Sequence, residues 1–336
     1  MAANLRAGLI GLGMMGRNHA RVLRELDGVD LVAVADAFGD PHGVAGSLPV
    51  LSGVDELIAA GIDMAVVAVP TGLHEEVGLA LAEAGVHVMV EKPIASSVPA
   101  GERLVEAFDS RGLVGAVGHI ERFNPALQSL RARIESDELG QVYQIATRRQ
   151  GPFPARIADV GVVKDLGTHD IDLTAWLAQS PFVSVSARTT TQSGRQYEDM
   201  VAAVGTLENG IMTSHLVNWL SPMKERVTVV TGERGAFVAD TLTADLTYYE
   251  NGSVKTEWDA VSNFRGVSEG NVTRLAIAKR EPLRVEHEAF RDAIRGTTHG
   301  SVQDIVTMRE GLNTLRVAEA MIASAASGQT EELTLS

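Results

Sequence analysis

Three glycines between residues 11 and 16 restrict this chain more than any other stretch. Ala7-Gly8-Leu9-Ile10-Gly11-Leu12-Gly13-Met14-Met15-Gly16 reads as an apolar strand, a turn spaced G-x-G-x-x-G, and the start of a helix. Gly11 lets the chain turn tightly off the strand. Gly13, without a side chain, lets a pyrophosphate approach the backbone, and Gly16 lets the helix pack closely on the strand. The unpaired N–H groups of the helix start, at the positive end of its dipole, suit phosphate. Asp36 lies twenty residues beyond Gly16 and ends the next strand. The pattern predicts a dinucleotide site built from Gly11, Leu12, Gly13, Met14, Met15, Gly16, Asp36 and Ala37.

The order of elements agrees. Apolar strands are expected at Leu5–Gly11, Leu31–Ala35, Met64–Val69, Val86–Val90 and Leu113–Val117. Helices are expected between them at Met15–Leu26, Asp55–Ala60, Leu73–Ala84 and Pro99–Ser110. Strands that are apolar throughout and alternate with helices predict a parallel sheet covered on both faces, an α/β Rossmann fold. Its ligand belongs at the carboxyl ends of the strands. Asp36, Pro70, Glu91-Lys92-Pro93 and Gly118-His119 all sit there. The first domain is therefore placed at 1–118.

After Gly118 the pattern changes. Asn124-Pro125 opens a helix to about Ser136, and Val142–Arg149 is a strand. Gly151–Val163 reads as irregular, and Thr168–Ala178 as a helix. Strands follow at Val183–Thr190, Met200–Leu207, Ile211–Trp219, Glu225–Thr231, Ala236–Asp240 and Leu246–Tyr249, with a hairpin turn at Glu208-Asn209-Gly210. Helices at Glu286–Arg295 and Val302–Ser324 close the chain. This predicts an α+β second domain over 119–336, with a large, mostly antiparallel open sheet and helices on one face. Val201, Ala203, Thr213, His215, Val217, Val227 and Val229 suggest that its outer face is incompletely polar. Face-to-face packing of two such sheets, in a homodimer or homotetramer, is the expectation.

Composition narrows the function classes. The 336 residues carry a net charge of −14, which argues against a general nucleic-acid surface. There is no cysteine, so thiol catalysis and disulfides are excluded. His119, His169, His215 and His287 are not spaced as a zinc set, and no metal is expected. No apolar run is long enough to span a bilayer, and no basic, apolar leader is visible; a cytoplasmic protein is expected.

A nicotinamide enzyme acting on an alcohol needs a side chain to take the hydroxyl proton and donors for the developing oxygen charge. Lys92 ends an apolar strand at the expected cofactor edge; otherwise it is a lysine snorkelling from a strand end. Asp165-Leu166-Gly167-Thr168-His169 puts an acid and an imidazole four apart at a helix start, where helical spacing brings them onto one face. Asp170 and Asp172 read as capping and surface charge.

The glycine turn, the Glu91-Lys92-Pro93 triplet and the Asp165-x-x-x-His169 pair, in this order, resemble the glucose–fructose oxidoreductase, inositol dehydrogenase and rhizopine catabolism family, Gfo/Idh/MocA. The resemblance covers essentially the whole chain. It implies that Lys92 and His169 are catalytic, that Asp165 helps bind the substrate, and that Glu91 and Lys92 line the cofactor site. Pro70-Thr71-Gly72-Leu73-His74 resembles the family's cofactor loop after the fourth strand, which implies contacts from Pro70, Thr71 and His74. His74 is otherwise a helix-start histidine.

A second resemblance narrows the substrate. Gly118-His119-Ile120-Glu121-Arg122-Phe123-Asn124-Pro125, Arg148-Arg149-Gln150-Gly151-Pro152-Phe153-Pro154 and Asp159-Val160-Gly161-Val162-Val163 are similar to the UDP-N-acetylglucosamine 3-dehydrogenase-like branch. Among Arg122, Arg148, Arg149 and Arg156, some are expected to meet a diphosphate, and others to be salt-bridge partners. Asn124 is expected to fix a sugar group or to cap its helix. The implied reaction is NAD-dependent oxidation of a secondary hydroxyl, at C3 of a nucleotide sugar. An aminoglycoside or antibiotic sugar, or an inositol, remains an alternative, as does a non-catalytic NAD-binding regulator. Asp36 favours NAD, because a carboxylate accepts from ribose hydroxyls and repels a 2′-phosphate.

Overall fold

The computed structural model describes residues 3–154, 160–252, 269–297 and 304–334. It divides into two compact units, Met1–Phe123 with Glu281–Arg316, and Asn124–Arg280 with Val317–Ser336.

The first unit holds a six-stranded sheet: β1 (Leu5–Ile10), β2 (Val29–Ala35), β3 (Val50–Leu51), β4 (Met64–Val67), β5 (His87–Glu91) and β6 (Gly115–Gly118). The order is β3-β2-β1-β4-β5-β6 and every pair is parallel. The order reverses about β1, so the carboxyl ends of β1 and β4 form the switch point where such sheets bind ligands. Helices α1 (Met14–Glu25), α2 (Val54–Ala59), α3 (His74–Glu83) and α4 (Val98–Asp109) connect the strands. Alternate residues of one strand enter different cores. Ala65 and Val67 pack with Leu81, Leu104 and Phe108, whereas Met64 and Val66 pack with Leu9, Leu23 and Phe290. A sheet buried on both faces needs strands without a polar side, which is what the sequence offered.

The expected single break at residue 118 is corrected. Helix α7 (Pro282–Ile294) starts four residues earlier than expected and places Phe290 in one of these cores. Val306, Met308, Leu312 and Leu315 enter the other. The segment returns because the sheet has apolar faces that the chain before residue 118 does not fully cover. The last helix, α8, runs Met308–Ser327; its expected start at Val302 lies outside the described residues. Its start is a capping box: Glu310 N–H donates to Thr307 Oγ1 at 3.2 Å, and Thr307 N–H donates to Glu310 Oε2 at 2.9 Å. Just before this box Val306 lies against β6 instead, its carbonyl accepting the Val117 N–H at 2.9 Å.

The second unit is built on a nine-stranded sheet. Its strands are β7 (Val142–Pro152), β8 (Phe182–Thr190), β9 (Met200–Leu207), β10 (Met212–Asn218), β11 (Leu220–Gly232), β12 (Gly235–Asp240), β13 (Asp245–Asn251), β14 (Glu269–Leu275) and β15 (Glu331–Glu332). The order is β14-β13-β12-β11-β7-β10-β9-β8-β15, antiparallel except for β7 with β10. Strand β14 was not expected, and β7 runs two residues into the stretch read as irregular. The hairpin forms as expected, with Gly210 at φ +84° and Asn209 Oδ1 accepting the Ile211 N–H.

Helices α5 (Pro125–Glu135) and α6 (Thr168–Ala178) supply Leu127, Leu130, Ile171, Leu173 and Leu177 to a core shared with Ile145, Val185, Val230 and Phe237 of the sheet. Val201, Ala203 and Val217 belong to that core, and Thr213 and His215 are buried beside them. The expectation that these five mark the outer face is therefore wrong by one residue of strand register; a period of two makes such a slip a change of face. Val227 and Val229 do alternate with the buried Thr228 and Val230, and so lie on the other face. The exposed Val204 and Met212 share it. Among the described residues no helix is long and apolar enough to cross a membrane.

Candidate active site

The glycine turn meets its three requirements differently. Gly11 has φ +95°, and a Cβ there would lie 2.5 Å from the Ala68 carbonyl oxygen. A Cβ on Gly16 would lie 1.9 Å from the Gly11 carbonyl oxygen. Both glycines are demanded by the fold itself. Gly13 is not: it has φ −72°, and a Cβ would meet nothing of the chain within 4 Å. An open position at the start of α1, with no side chain capping the helix, fits a group that approaches the backbone from outside. Met14 beside it is 66% exposed, while Leu12 is buried and donates its N–H to Asp36 Oδ2 at 2.7 Å. Asp36 Oδ1 accepts the Phe38 N–H at 2.8 Å, which sets the course of Ala37. The residues therefore fit a dinucleotide, with the carboxylate at the end of β2 and the free helix start at the end of β1.

Two further strand ends complete this edge. Pro70 and Thr71 open a 3-10 turn, Thr71–Leu73, after β4. His74 follows at the start of α3, is 1% exposed, and is held between two main-chain carbonyls: Nδ1 is 3.0 Å from Pro93 O and Nε2 is 3.0 Å from Val69 O. Burial lowers its pKa, against the opposing pull of those carbonyls. His74 thus ties the loop after β4 to the loop after β5. Glu91 and Lys92 end β5. The Glu91 carboxylate lies against His19, and the Lys92 N–H donates to Glu91 Oε2 at 3.1 Å.

In the second unit, Asp165 lies in a π-helical turn, Val163–Gly167, that runs directly into α6, and His169 is in the first turn of α6. The pair therefore straddles a π-to-α junction, and ordinary i,i+4 helix geometry does not describe it. Such turns occur often at functional sites. The turn is anchored at several points. Asp165 N–H donates to Gly161 O at 3.0 Å, Val163 N–H to Glu198 Oε1 at 3.1 Å, and Thr168 Oγ1 to Lys164 O at 3.0 Å. A Cβ on Gly161 would lie 2.0 Å from Glu198 Oε1, so a larger residue there would have to displace the carboxylate that holds the turn. Asp165 is 3% exposed. Asp170 and Asp172 are buried as well, which corrects their reading as surface charge. Asp170 Oδ1 pairs with Arg149 Nε at 2.8 Å, each side chain 3% exposed. A charge placed against a sheet face persists only with such a partner.

Comparison with known proteins decides the family. Residues 5–119 match the description "Oxidoreductase family, NAD-binding Rossmann fold", and residues 127–238 match "GFO/IDH/MocA C-terminal domain". The chain belongs to the Gfo/Idh/MocA oxidoreductases. Its first unit is an NAD-binding Rossmann domain. The chain is 31% identical over 296 residues to the UDP-N-acetylglucosamine 3-dehydrogenase of Acidithiobacillus ferrooxidans, covering 87% of this chain and 89% of that protein. A crystal structure of that enzyme superposes with a TM-score of 0.82 at 27% identity, over 98% of this chain and 100% of that one. Inositol 2-dehydrogenase 2 of Saccharopolyspora erythraea is 32% identical over 226 residues, 62% of this chain and 65% of that protein.

In this Gfo/Idh/MocA protein the residues expected at the substrate are not all brought together. Arg122 is in a 3-10 turn, Ile120–Phe123, is 5% exposed, and pairs with Glu310 at 2.7 Å. Asn124 caps α5: its Oδ1 accepts the Ala126 N–H at 3.0 Å and its Nδ2 donates to Thr241 O at 3.0 Å. Both ends of its amide are used, so the cap accounts for the residue. Arg148 points to the opposite face of the sheet from Arg149, with its side chain 58% exposed and paired with Glu225 at 2.6 Å. It lies away from the helix face that carries Asp170, because neighbours on a strand alternate. Arg156 lies outside the described residues.

Sequence reading missed two groups. His19 carries the Glu91 carboxylate, and Glu198 holds the π-turn. His19 does fall on the buried stripe of α1 beside Ala20, Val22 and Leu23, which is a visible signal. Its partners are distant in sequence and were not.

Proposed function

We propose that this oxidoreductase oxidises a secondary hydroxyl of a sugar, at C3 of a nucleotide sugar such as a UDP-N-acetylhexosamine or its uronic acid. The observation that carries the reading is the likeness to UDP-N-acetylglucosamine 3-dehydrogenase over nearly the whole of both chains, with Lys92, Asp165 and His169 all present. NAD, held at the cofactor edge, would supply the hydride acceptor. His169 takes the hydroxyl proton, as an imidazole suited to neutral pH does. Lys92 donates to the reacting oxygen and stabilises the charge that develops on it. Asp165, buried in its π-turn, holds a neighbouring hydroxyl and orients the imidazole. Gly11, Gly13 and Gly16 with Asp36, Pro70, Thr71 and Glu91 form the cofactor edge, and His74 supports it through the two loops it ties. A diphosphate would be met by two of Arg122, Arg148, Arg149 and Arg156.

One observation favours a second reading, an uncharged or cationic ring such as an inositol or an aminoglycoside. Among the described residues, Arg122, Arg148 and Arg149 each pair with a carboxylate, which leaves less positive charge for a diphosphate. A screen following NADH absorbance separates the two. Turnover of UDP-N-acetylglucosamine or its uronic acid above that of free sugars, inositols and aminoglycosides supports the first reading; the reverse order overturns it.

We also propose that the chain forms a homodimer or homotetramer through the outer sheet face carrying Val204, Met212, Val227 and Val229. Sedimentation showing only a 35.7 kDa species at micromolar concentration rejects this.

A further inference from the structure

The Glu91 carboxylate continues inward through two histidines that the reaction does not use. His19 Nε2 lies 2.9 Å from Glu91 Oε1, and His19 Nδ1 lies 2.9 Å from His287 Nε2. His19 is on α1 and His287 on α7, and both are 0% exposed. The other carboxylate oxygen, Glu91 Oε2, accepts the Lys92 main-chain N–H at 3.1 Å. Four groups form one line that ends at Lys92.

Hydrogen-bond chemistry gives the line a direction. A carboxylate only accepts, so His19 Nε2 carries its hydrogen. In a neutral ring, His19 Nδ1 is then a bare lone pair, and His287 Nε2 donates to it. That leaves His287 Nδ1 as a lone pair, and it is the ring atom without a partner among the described residues. A doubly protonated His19 would turn His287 Nε2 into the acceptor and leave a buried Nδ1–H donor unsatisfied, which is costly. Charge agrees with this order. Burial pushes His287 well below the usual histidine range. Burial alone would raise the Glu91 carboxyl, but its bond to His19 and the nearby Lys92 hold it below the usual carboxylate range.

We propose that His19, set by His287, is a positioning residue for Lys92: its Nε2–H fixes the Glu91 carboxylate in the rotamer that places Oε2 on the Lys92 main-chain N–H. The inference rests on the catalytic reading of Lys92 for its meaning, but its geometry is measured without turnover.

Residue-resolved amide hydrogen exchange on the full-length, NAD-loaded protein reads the bond directly. In His19→Leu, the Lys92 amide should exchange about tenfold faster, the scale of one lost bond to a charged group, while Met89 and Val90 of the same strand keep their rates. His19→Gln, whose side-chain amide still offers an N–H to Glu91, should restore slow exchange at Lys92. Acceleration spread evenly along β5, or an unchanged Lys92, overturns the proposal. Nitrogen-15 spectra of the histidines in the unmutated chain give a second measurement that needs no variant to fold. Both rings should be neutral with hydrogen on Nε2; an Nδ1–H ring at either position overturns it. Lys92→Ala in the hydride-transfer assay tests the catalytic reading separately, so that either can fail while the other stands.

Discussion

Asp36 accepts the Leu12 main-chain N–H at 2.7 Å, so the acid at the end of β2 also braces the glycine turn after β1. One carboxylate thus has two duties. Its oxygens are the proposed acceptors for ribose hydroxyls, and one of them already fixes the loop that meets the phosphates. Asp36→Ala should lower kcat/KM for NAD about 10- to 100-fold, because both duties are lost at once. The unmutated enzyme should prefer NAD, since Ala37-Phe38-Gly39 supplies no arginine for a 2′-phosphate. A higher kcat/KM with NADP would falsify this reading of Asp36.

Gly13 and Gly16 should separate cofactor binding from folding. Gly13→Ala meets no atom of the chain, so stability should change by less than about 1 kcal/mol while NAD affinity falls tenfold or more. Gly16→Ala drives a methyl group into the Gly11 carbonyl, and should lower the melting temperature clearly. Calorimetry with NAD titration distinguishes them; equal NAD affinity in Gly13→Ala would contradict the assigned phosphate approach.

Lys92→Ala and His169→Ala should each lower kcat by about 10²- to 10⁴-fold, the usual span for a lost proton-transfer group. NAD binding, followed by nucleotide fluorescence, should stay close to normal in both. Near-normal turnover in either variant would remove that residue from the mechanism.

His215 should make the second unit acid-sensitive. Its ring is buried, with Nδ1 2.8 Å from Thr147 Oγ1 and Nε2 without a partner among the described residues. Burial drops its pKa to about 4. The unfolded chain therefore binds a proton that the folded chain refuses between roughly pH 6.5 and 4, so stability falls as pH falls through that window. The loss should reach about 3 kcal/mol at its low end. Urea titrations at several pH values check this, and the slope attributable to this ring should vanish in His215→Leu.

The Rossmann unit was largely legible, because each of its devices is local. The glycine spacing, the first two apolar strands and Asp36 lie within forty residues and speak about their own neighbourhood. The inner and outer faces of the large sheet were harder. Thr213 and His215 are polar residues turned into a core, and only their neighbours across the strand ladder reveal it. Asp170 looked like a helix-start charge because Arg149, which neutralises it, stands on a strand twenty-one residues earlier. Asn124 was readable both as a cap and as a ligand; the Thr241 carbonyl that takes its amide N–H is 117 residues away. What stayed hidden is long-range pairing, where neither partner's local sequence says what it will meet.

The return of residues 281–316 to the first unit has a practical corollary for protein engineering. Phe290, Val306, Met308, Leu312 and Leu315 complete the cores on the parallel sheet. A gene cut after the last parallel strand would encode a fragment with those side chains missing and the surfaces they cover laid open. Swapping the cofactor half between relatives therefore takes two crossovers in the gene, not one, because the nucleotide-binding half is written in two places.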